Sequence, residues 1–261
     1  MAQMNSGMPR AGSMIDPTYS RGDYFADPQR HSADARFKAD SFLNLFLKFA
    51  KEDRRPIETF ADVGCGSGDV IRMIADSLRE NGFESVTFKA YDVSPHVVNL
   101  RHDGISFIMG DFCESDEFVD IVTLFDVFEH VPDPIAFIRA VAERCRTIAF
   151  HIPLDDCWSV AARNRFRAKL RDPGHLIFLN VVSALNMLAL AGLRVVDYDY
   201  TFAFQAPSGR LTLGAKVAFP FRWLLAKVSP WLLSRTLGGT SLMVIANTPL
   251  GLGEPGSNAA R

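Results

Sequence analysis

At 261 residues, the chain fits one α/β domain with additions and can bury a sizeable core. Hydrophobic residues make up 48% and charged residues 22%, an ordinary globular composition, and the net charge of −2 argues against a dedicated nucleic-acid binder. Cys65, Cys113, Cys145 and Cys157 form no C-x-x-C pair and no metal-ligand spacing, so with no signal-peptide pattern they read as reduced thiols in a cytoplasmic protein.

Residues 1–20 are rich in Met, Gly, Ser and Pro without periodicity and read as a disordered tail before a single domain over 21–247. Ala33 to Ala50 reads as a helix with Phe37, Phe42, Leu45, Phe46 and Phe49 on its apolar face. Phe60-Ala61-Asp62-Val63 is a short apolar run closed by an acid and followed by Gly64, Gly66 and Gly68 at every second position. A helical pattern then begins, with Val70, Ile71, Ile74, Ala75 and Leu78 on one face. Glycines are needed where the backbone turns with positive φ or approaches a ligand closely, and a helix N-terminus offers free N–H groups beyond them. The dinucleotide fingerprint G-x-G-x-x-G would put its third glycine at position 69, which is Asp69.

The pattern D-x-G-x-G-x-G over Asp62 to Gly68 resembles motif I of the S-adenosylmethionine (SAM) dependent methyltransferases with a Rossmann-like fold. The resemblance implies that Gly64, Cys65, Gly66 and Gly68 pass beneath the methionine part of SAM, and that Asp62 orients its ammonium group. Val86 to Val93 reads as the second strand and ends at Asp92-Val93, 28 residues after Gly64. A carboxylate there can accept two hydrogen bonds from a ribose diol, as the corresponding acid does in dinucleotide sites, and because strand, acid and glycine turn occur together this role is favoured over a cap for the helix that Ser94-Pro95 begins. Ile105 to Phe112 is the third strand, and in methyltransferases of this type an acid at its end lies near the adenine, which Asp111 and Phe112 match.

Val119 to Val127 is the fourth strand, with Asp126 near its end counted among the cofactor-binding residues, and it runs into Glu129-His130-Val131-Pro132-Asp133-Pro134. That loop resembles the one found in ubiquinone- and menaquinone-biosynthesis methyltransferases and lies where open α/β sheets bind ligands. Thr147 to Ile152 is strand five. Residues 155–175 read as a substrate-covering insertion with a helix whose Arg163, Arg167 and Arg171 share a face, ending in Asp172-Pro173-Gly174-His175. The uncharged stretch Leu176 to Leu193 is interrupted by Asn180, Ser183 and Asn186 and closed by Gly192, so it reads as a buried helix capped at Asn180 rather than a membrane span.

Arg194 to Phe204 and Gly239 to Asn247 are the last two strands. Between them, residues 206–238 are crowded with apolar side chains, and Pro220 and Pro230 should divide them into short helices covering the acceptor. Trp223 and Trp231 are central to that expectation, with packing onto the sheet, a dimer partner or a peripheral membrane surface as the alternatives. Residues 248–261 read as a frayed tail.

Alternating strands and helices imply a mostly parallel sheet covered on both faces. The resemblance makes this a Rossmann-like, doubly wound α/β/α fold with an antiparallel last strand. It implies methyl transfer from SAM to a small-molecule acceptor, apolar or anionic, with no nucleic acid and no metal. His130, His175 and Glu129 are the candidate proton acceptors, His130 first, with His151 a further histidine near the sheet. The competing readings are a methyltransferase-shaped binding protein without catalysis and, against Asp69, a nicotinamide oxidoreductase. The pattern carries no signal for oligomeric state.

Overall fold

The computed structural model describes residues 34–206 and 213–253. The expected N-terminal tail, together with residues 21–33, lies outside them, as do 207–212 and 254–261. In chain order the elements are α1 Ala35–Asp53, β1 Thr59–Val63, α2 Asp69–Glu80, β2 Thr87–Asp92, β3 Ile105–Met109, β4 Val119–Phe125, α3 Pro134–Ala142, β5 Cys145–Pro153, α4 Trp158–Ala162, α5 Phe166–Arg171, α6 Val181–Leu190, β6 Arg194–Thr201, α7 Leu213–Val228, α8 Pro230–Arg235 and β7 Ser241–Asn247. Short 3₁₀ turns at Pro95–Asn99, Phe112–Glu114 and Phe128–His130 take up strand ends that face the ligand side of the sheet.

The strands form one sheet in the order β3-β2-β1-β4-β5-β7-β6. The first five pair in parallel, and β7 runs antiparallel to both of its neighbours. Strands such as β1, β4 and β7 are buried along almost their whole length, as expected where helices cover both faces. The fold is the expected Rossmann-like α/β/α sandwich. On one face, α1 and α2 bury Phe42, Phe46, Ile71 and Ile74 against Phe60 and Phe88, with Phe42 stacked 4.9 Å from Phe46. On the other, Ile138 and Val141 of α3 and Ala184 and Leu188 of α6 cover Val122, Leu124, Ile148 and Phe150.

Asn180 caps α6 in a capping box, its side chain accepting from the Val182 and Ser183 amides while Ser183 Oγ accepts from the Asn180 N–H. Such a cap contributes about 1 kcal/mol.

Three local expectations are corrected. The cationic helix over 163–171 is two short helices: Arg163 ends α4, Asn164 takes φ +50°, and Arg165 begins α5, so Arg163, Arg167 and Arg171 do not share a face. Helix α7 runs straight through Pro220. The proline removes one helical N–H, but the residue is exposed and water can take the orphaned carbonyl. The tail does not start at Thr248: Thr248 is fully buried and donates to the Cys145 carbonyl. Gly251 just beyond it sits so close to the Arg146 carbonyl that an added Cβ would lie 2.1 Å away.

Candidate active site

A cleft of about 640 Å³ opens at the carboxyl ends of the parallel strands. Small-molecule sites have about this size, roughly 300–1,000 Å³. The turn after β1 is fixed by the backbone: the Gly64 and Cys65 amides both donate to the Tyr91 carbonyl of β2. Gly64, Gly66 and Gly68 all have positive φ. A Cβ on Gly64 would lie 2.6 Å from Val127, so the turn has no room for a side chain there.

Three acids end three adjacent strands around this turn, and all three line the cleft. Asp62 is buried and accepts from the Thr123 hydroxyl at 2.6 Å, and burial pushes its carboxyl up to about 6. Asp92 accepts from the Gly66 amide at 2.9 Å and the Ser94 amide at 2.8 Å, with burial again raising its pKa. Asp92 thus braces the glycine turn, while the 3₁₀ turn that follows has Ser94 as its N-cap with no side-chain cap bond, and each Asp92 carboxylate oxygen keeps a second lone pair. Asp111 accepts from the Cys113 amide, and Phe112 packs edge-on against Tyr91 at 5.2 Å. Cys65, Val93 and Phe112 line the cleft as well, whereas Gly68 is set back as the N-cap of α2 beside Phe107.

After β4, Asp126 adopts φ +56°. His151 Nδ1 donates to its Oδ1 at 2.6 Å, and Lys38 of α1 reaches its Oδ2 at 2.6 Å. Together His151 and Lys38 hold the Asp126 carboxyl well below the usual range, against the effect of its burial. Lys38 thus ties α1 to the cleft, and His151 Nε2 stands 3.0 Å from the Thr201 hydroxyl.

The third group comes from two separate segments. His130 Nδ1 donates to the Gly174 carbonyl, which leaves the Nε2 position of the neutral ring to carry the lone pair. Burial and the nearby His175 lower its pKa to about 4. His175 donates from Nδ1 to Asp155 at 2.7 Å, and Lys169 pairs with the other oxygen of Asp155. The two imidazole rings meet edge to face at 5.0 Å. Glu129 lies behind them, 1% exposed and off the cleft wall; neither carboxylate oxygen has a hydrogen-bond partner, and burial raises its pKa well above the usual value. One ligand atom each from Glu129, His130 and His175 lie within 4.8 Å of one another. The reading that no ligand cluster is present is thereby corrected: 45 residues separate His130 from His175 in sequence, and the fold brings them together.

A family model described as a methyltransferase domain matches residues 31–198, well over half of the chain. The chain belongs to that family. The match takes in the glycine turn, all three strand-ending acids and the histidine cluster, and stops before α7 and β7. This methyltransferase is also 32% identical over 93 residues to a ubiquinone biosynthesis O-methyltransferase from Nitrosospira multiformis, covering 31% of this chain and 36% of that protein. The chain thus aligns with about a third of that relative's length.

Among solved structures, the N-methyltransferase NodS from Bradyrhizobium japonicum WM9 in complex with S-adenosyl-L-homocysteine has a TM-score of 0.55 at 14% identity, covering 90% of this chain and 100% of that one. The magnesium protoporphyrin IX methyltransferase from Synechocystis PCC 6803 has a TM-score of 0.51 at 13% identity, covering 87% and 91%. Both likenesses speak for the fold of the methyltransferase.

Sequence reasoning missed three contributors. Lys38 stands on a helix face that reads as solvated. His96 packs beneath the turn, its Nε2 2.6 Å from the Gly66 carbonyl, and its place just after the acid closing β2 was an available signal. Arg222 lies in the cleft wall against Gly239, and no sequence motif flags it beyond its place as a cation in an apolar stretch. In the other direction, Trp223 and Trp231 are 49% and 55% exposed and do not line the cleft. The expectation that they cover the acceptor is corrected: α7 turns Arg222 toward the cleft and its aromatic stripe toward solvent.

Proposed function

We propose that the chain binds SAM over the glycine turn and transfers its methyl group to a small-molecule acceptor. The observation that carries this reading is the convergence of Asp62, Asp92 and Asp111, from three neighbouring strands, on one turn that excludes side chains. In this reading Asp62 meets the ammonium group of SAM, Asp92 the ribose, and Asp111 with Phe112 the adenine, with Gly64, Cys65, Gly66 and Val93 forming the floor. SAM supplies an activated methyl on a sulfonium, so the protein's task is to hold a nucleophile in line with it and exclude water.

An oxygen nucleophile must also lose a proton. His175 is the better acceptor by geometry, because Asp155 behind it stabilises the imidazolium that proton uptake creates. His130, kept neutral by its surroundings, orients the acceptor from Nε2, and Glu129 supports the pair from below. This reverses the order in which the sequence ranks the two histidines.

Four free cysteines fit a cytoplasmic setting, and among the described residues no helix is long and apolar enough to cross a membrane. The outer face of α7 and α8 supports a peripheral contact with an anionic lipid surface. Leu213, Val217, Phe221, Leu224 and Val228 of α7 and Trp231 of α8 are exposed, Lys216 and Lys227 lie among them, and no acidic residue occurs in the sequence between Thr201 and Gly253.

Calorimetry with SAM and with NAD tests the central claim. SAM should bind at micromolar concentrations and NAD should not; a chain that ignores SAM, or takes both equally, is not a SAM enzyme.

A further inference from the structure

Four cations line the cleft, and they fall into two pairs. Lys38 and Lys169 are each matched to an aspartate, Asp126 and Asp155, at 2.6 and 2.7 Å. Arg163 and Arg222 form no ion pair among the described residues. They are nevertheless held close together. Arg163 donates to the Ser159 carbonyl at 2.7 Å and, from Nη2, to the Ser159 hydroxyl at 3.3 Å. That hydroxyl donates to the Leu237 carbonyl, which also accepts from Arg222 Nη2 at 3.0 Å. A single serine and a single carbonyl therefore fix two like charges side by side.

This arrangement is costly without a counter-charge. The proximity of Arg163, together with burial, lowers the pKa of Arg222. Among the described residues Arg222 Nε is buried with no acceptor, and the hydroxyl of Thr240, one residue beyond the Gly239 backbone on which the guanidinium rests, is buried with no partner. A fold that only needed to close this wall could have used apolar residues, and orphaned polar groups in such a place call for a reason. A guanidinium pair matches an oxyanion in charge and in fork geometry.

We infer that Arg163 and Arg222 receive an anionic group, carboxylate or phosphate, on the acceptor molecule. The corner stands beside the start of β7, three strands along the sheet from the glycine turn on β1, or roughly 14 Å at the usual strand spacing. The anion therefore anchors the end of the acceptor remote from the transferred methyl. The inference rests on the methyltransferase reading of the cleft.

The test uses the full chain saturated with S-adenosylhomocysteine. Benzoate and phenyl phosphate are titrated against uncharged benzamide by ligand-detected NMR. Either anion should bind at least tenfold more tightly than benzamide, with a preference between the two telling carboxylate from phosphate. Arg163→Gln and Arg222→Gln should each remove most of that preference, whereas Arg167→Gln, on the exposed side of α5, should keep it. Should Arg222→Gln fail to fold, the exposed Arg163 decides alone. No preference for the anions in the wild type, including no binding of any probe, overturns the inference, as does a preference that survives Arg163→Gln. If S-adenosylhomocysteine itself does not bind, the methyltransferase reading fails first; if it binds and the anion preference is missing, only the anion corner falls.

Discussion

Around the glycine turn, the groups facing the cleft are held by strand ends and the turns next to them: Asp92 by the Gly66 and Ser94 amides, Asp62 by Thr123, and the turn itself by the Tyr91 carbonyl. Across the cleft, the polar groups are side chains on short helices and loops, joined pairwise over long sequence separations: His130 with Gly174, His175 with Asp155, Arg222 with Leu237. The first region is held by strand ends and by the turns that leave them directly. The second is assembled from segments that meet only when the domain closes, so it can vary without disturbing the first. That division suits a protein that keeps one methyl donor while its acceptor is specified separately.

The largest effect should come from the assembled side. His175→Ala is expected to lower kcat by roughly 10²–10⁴ with an oxygen acceptor, and Asp155→Asn to lower it less, both with SAM affinity nearly unchanged. Parallel losses of SAM binding and turnover would show that the two regions are not separable. On the turn side, Asp92→Ala removes the amide acceptor together with the proposed ribose contact, and should weaken SAM binding more than tenfold, or about 1.5–3 kcal/mol. Calorimetry on the folded variant checks it.

A subtler effect concerns pH. Burial pushes the Asp62 carboxyl up to about 6, above its ordinary value of 3.8. The folded state therefore holds more protons than the unfolded one between those values, and this group's contribution to stability falls as pH rises through that window. If Asp62 meets the ammonium of SAM as proposed, SAM binding runs the other way, since the ammonium favours the ionised acid: affinity should drop by up to about tenfold per pH unit below 6, and Asp62→Asn should abolish the step. Turnover is expected to survive exhaustive chelation. Loss that a divalent cation restores would reassign Glu129, His130 and His175 to a metal.

The smallest effect on the fold belongs to the outer face of α7 and α8. Trp223→Gln and Trp231→Gln should change thermal stability by no more than about 0.5 kcal/mol, because both side chains are half exposed. The same variants should lose co-sedimentation with phosphatidylglycerol vesicles, and wild-type protein that ignores such vesicles disproves the lipid contact.

How far each region can be read from sequence follows from the same contrast. The turn, its acids and the helix that follows are local, so spacing alone places Asp62, Asp92 and Asp111 at strand ends. The Asn180 cap is equally local and appears as expected. The Glu129–His130–His175 cluster depends on a segment 45 residues further on, and periodicity says nothing about which loops touch. Arg163 illustrates the limit well: its spacing to Arg167 and Arg171 suggests one helix face, yet Asn164 breaks the helix and turns Arg163 alone toward the cleft. Pro220 misleads for another reason, since the cost of a proline inside a helix depends on whether water can reach the orphaned carbonyl.

Strand β7 sits between β5 and β6 and supplies hydrogen bonds to both. Nearly ninety residues separate the end of β5 from its start. During synthesis at about 5–20 residues/s, β5 therefore waits on the order of 5–20 s with one edge unpaired, and β6 has no sheet to join. An open, apolar strand edge is the feature by which chains pair with the wrong neighbour. The growing chain should be at its most aggregation-prone in that interval, and a message that stalls between codons 201 and 240 should yield insoluble product even though the entire glycine turn has already been made.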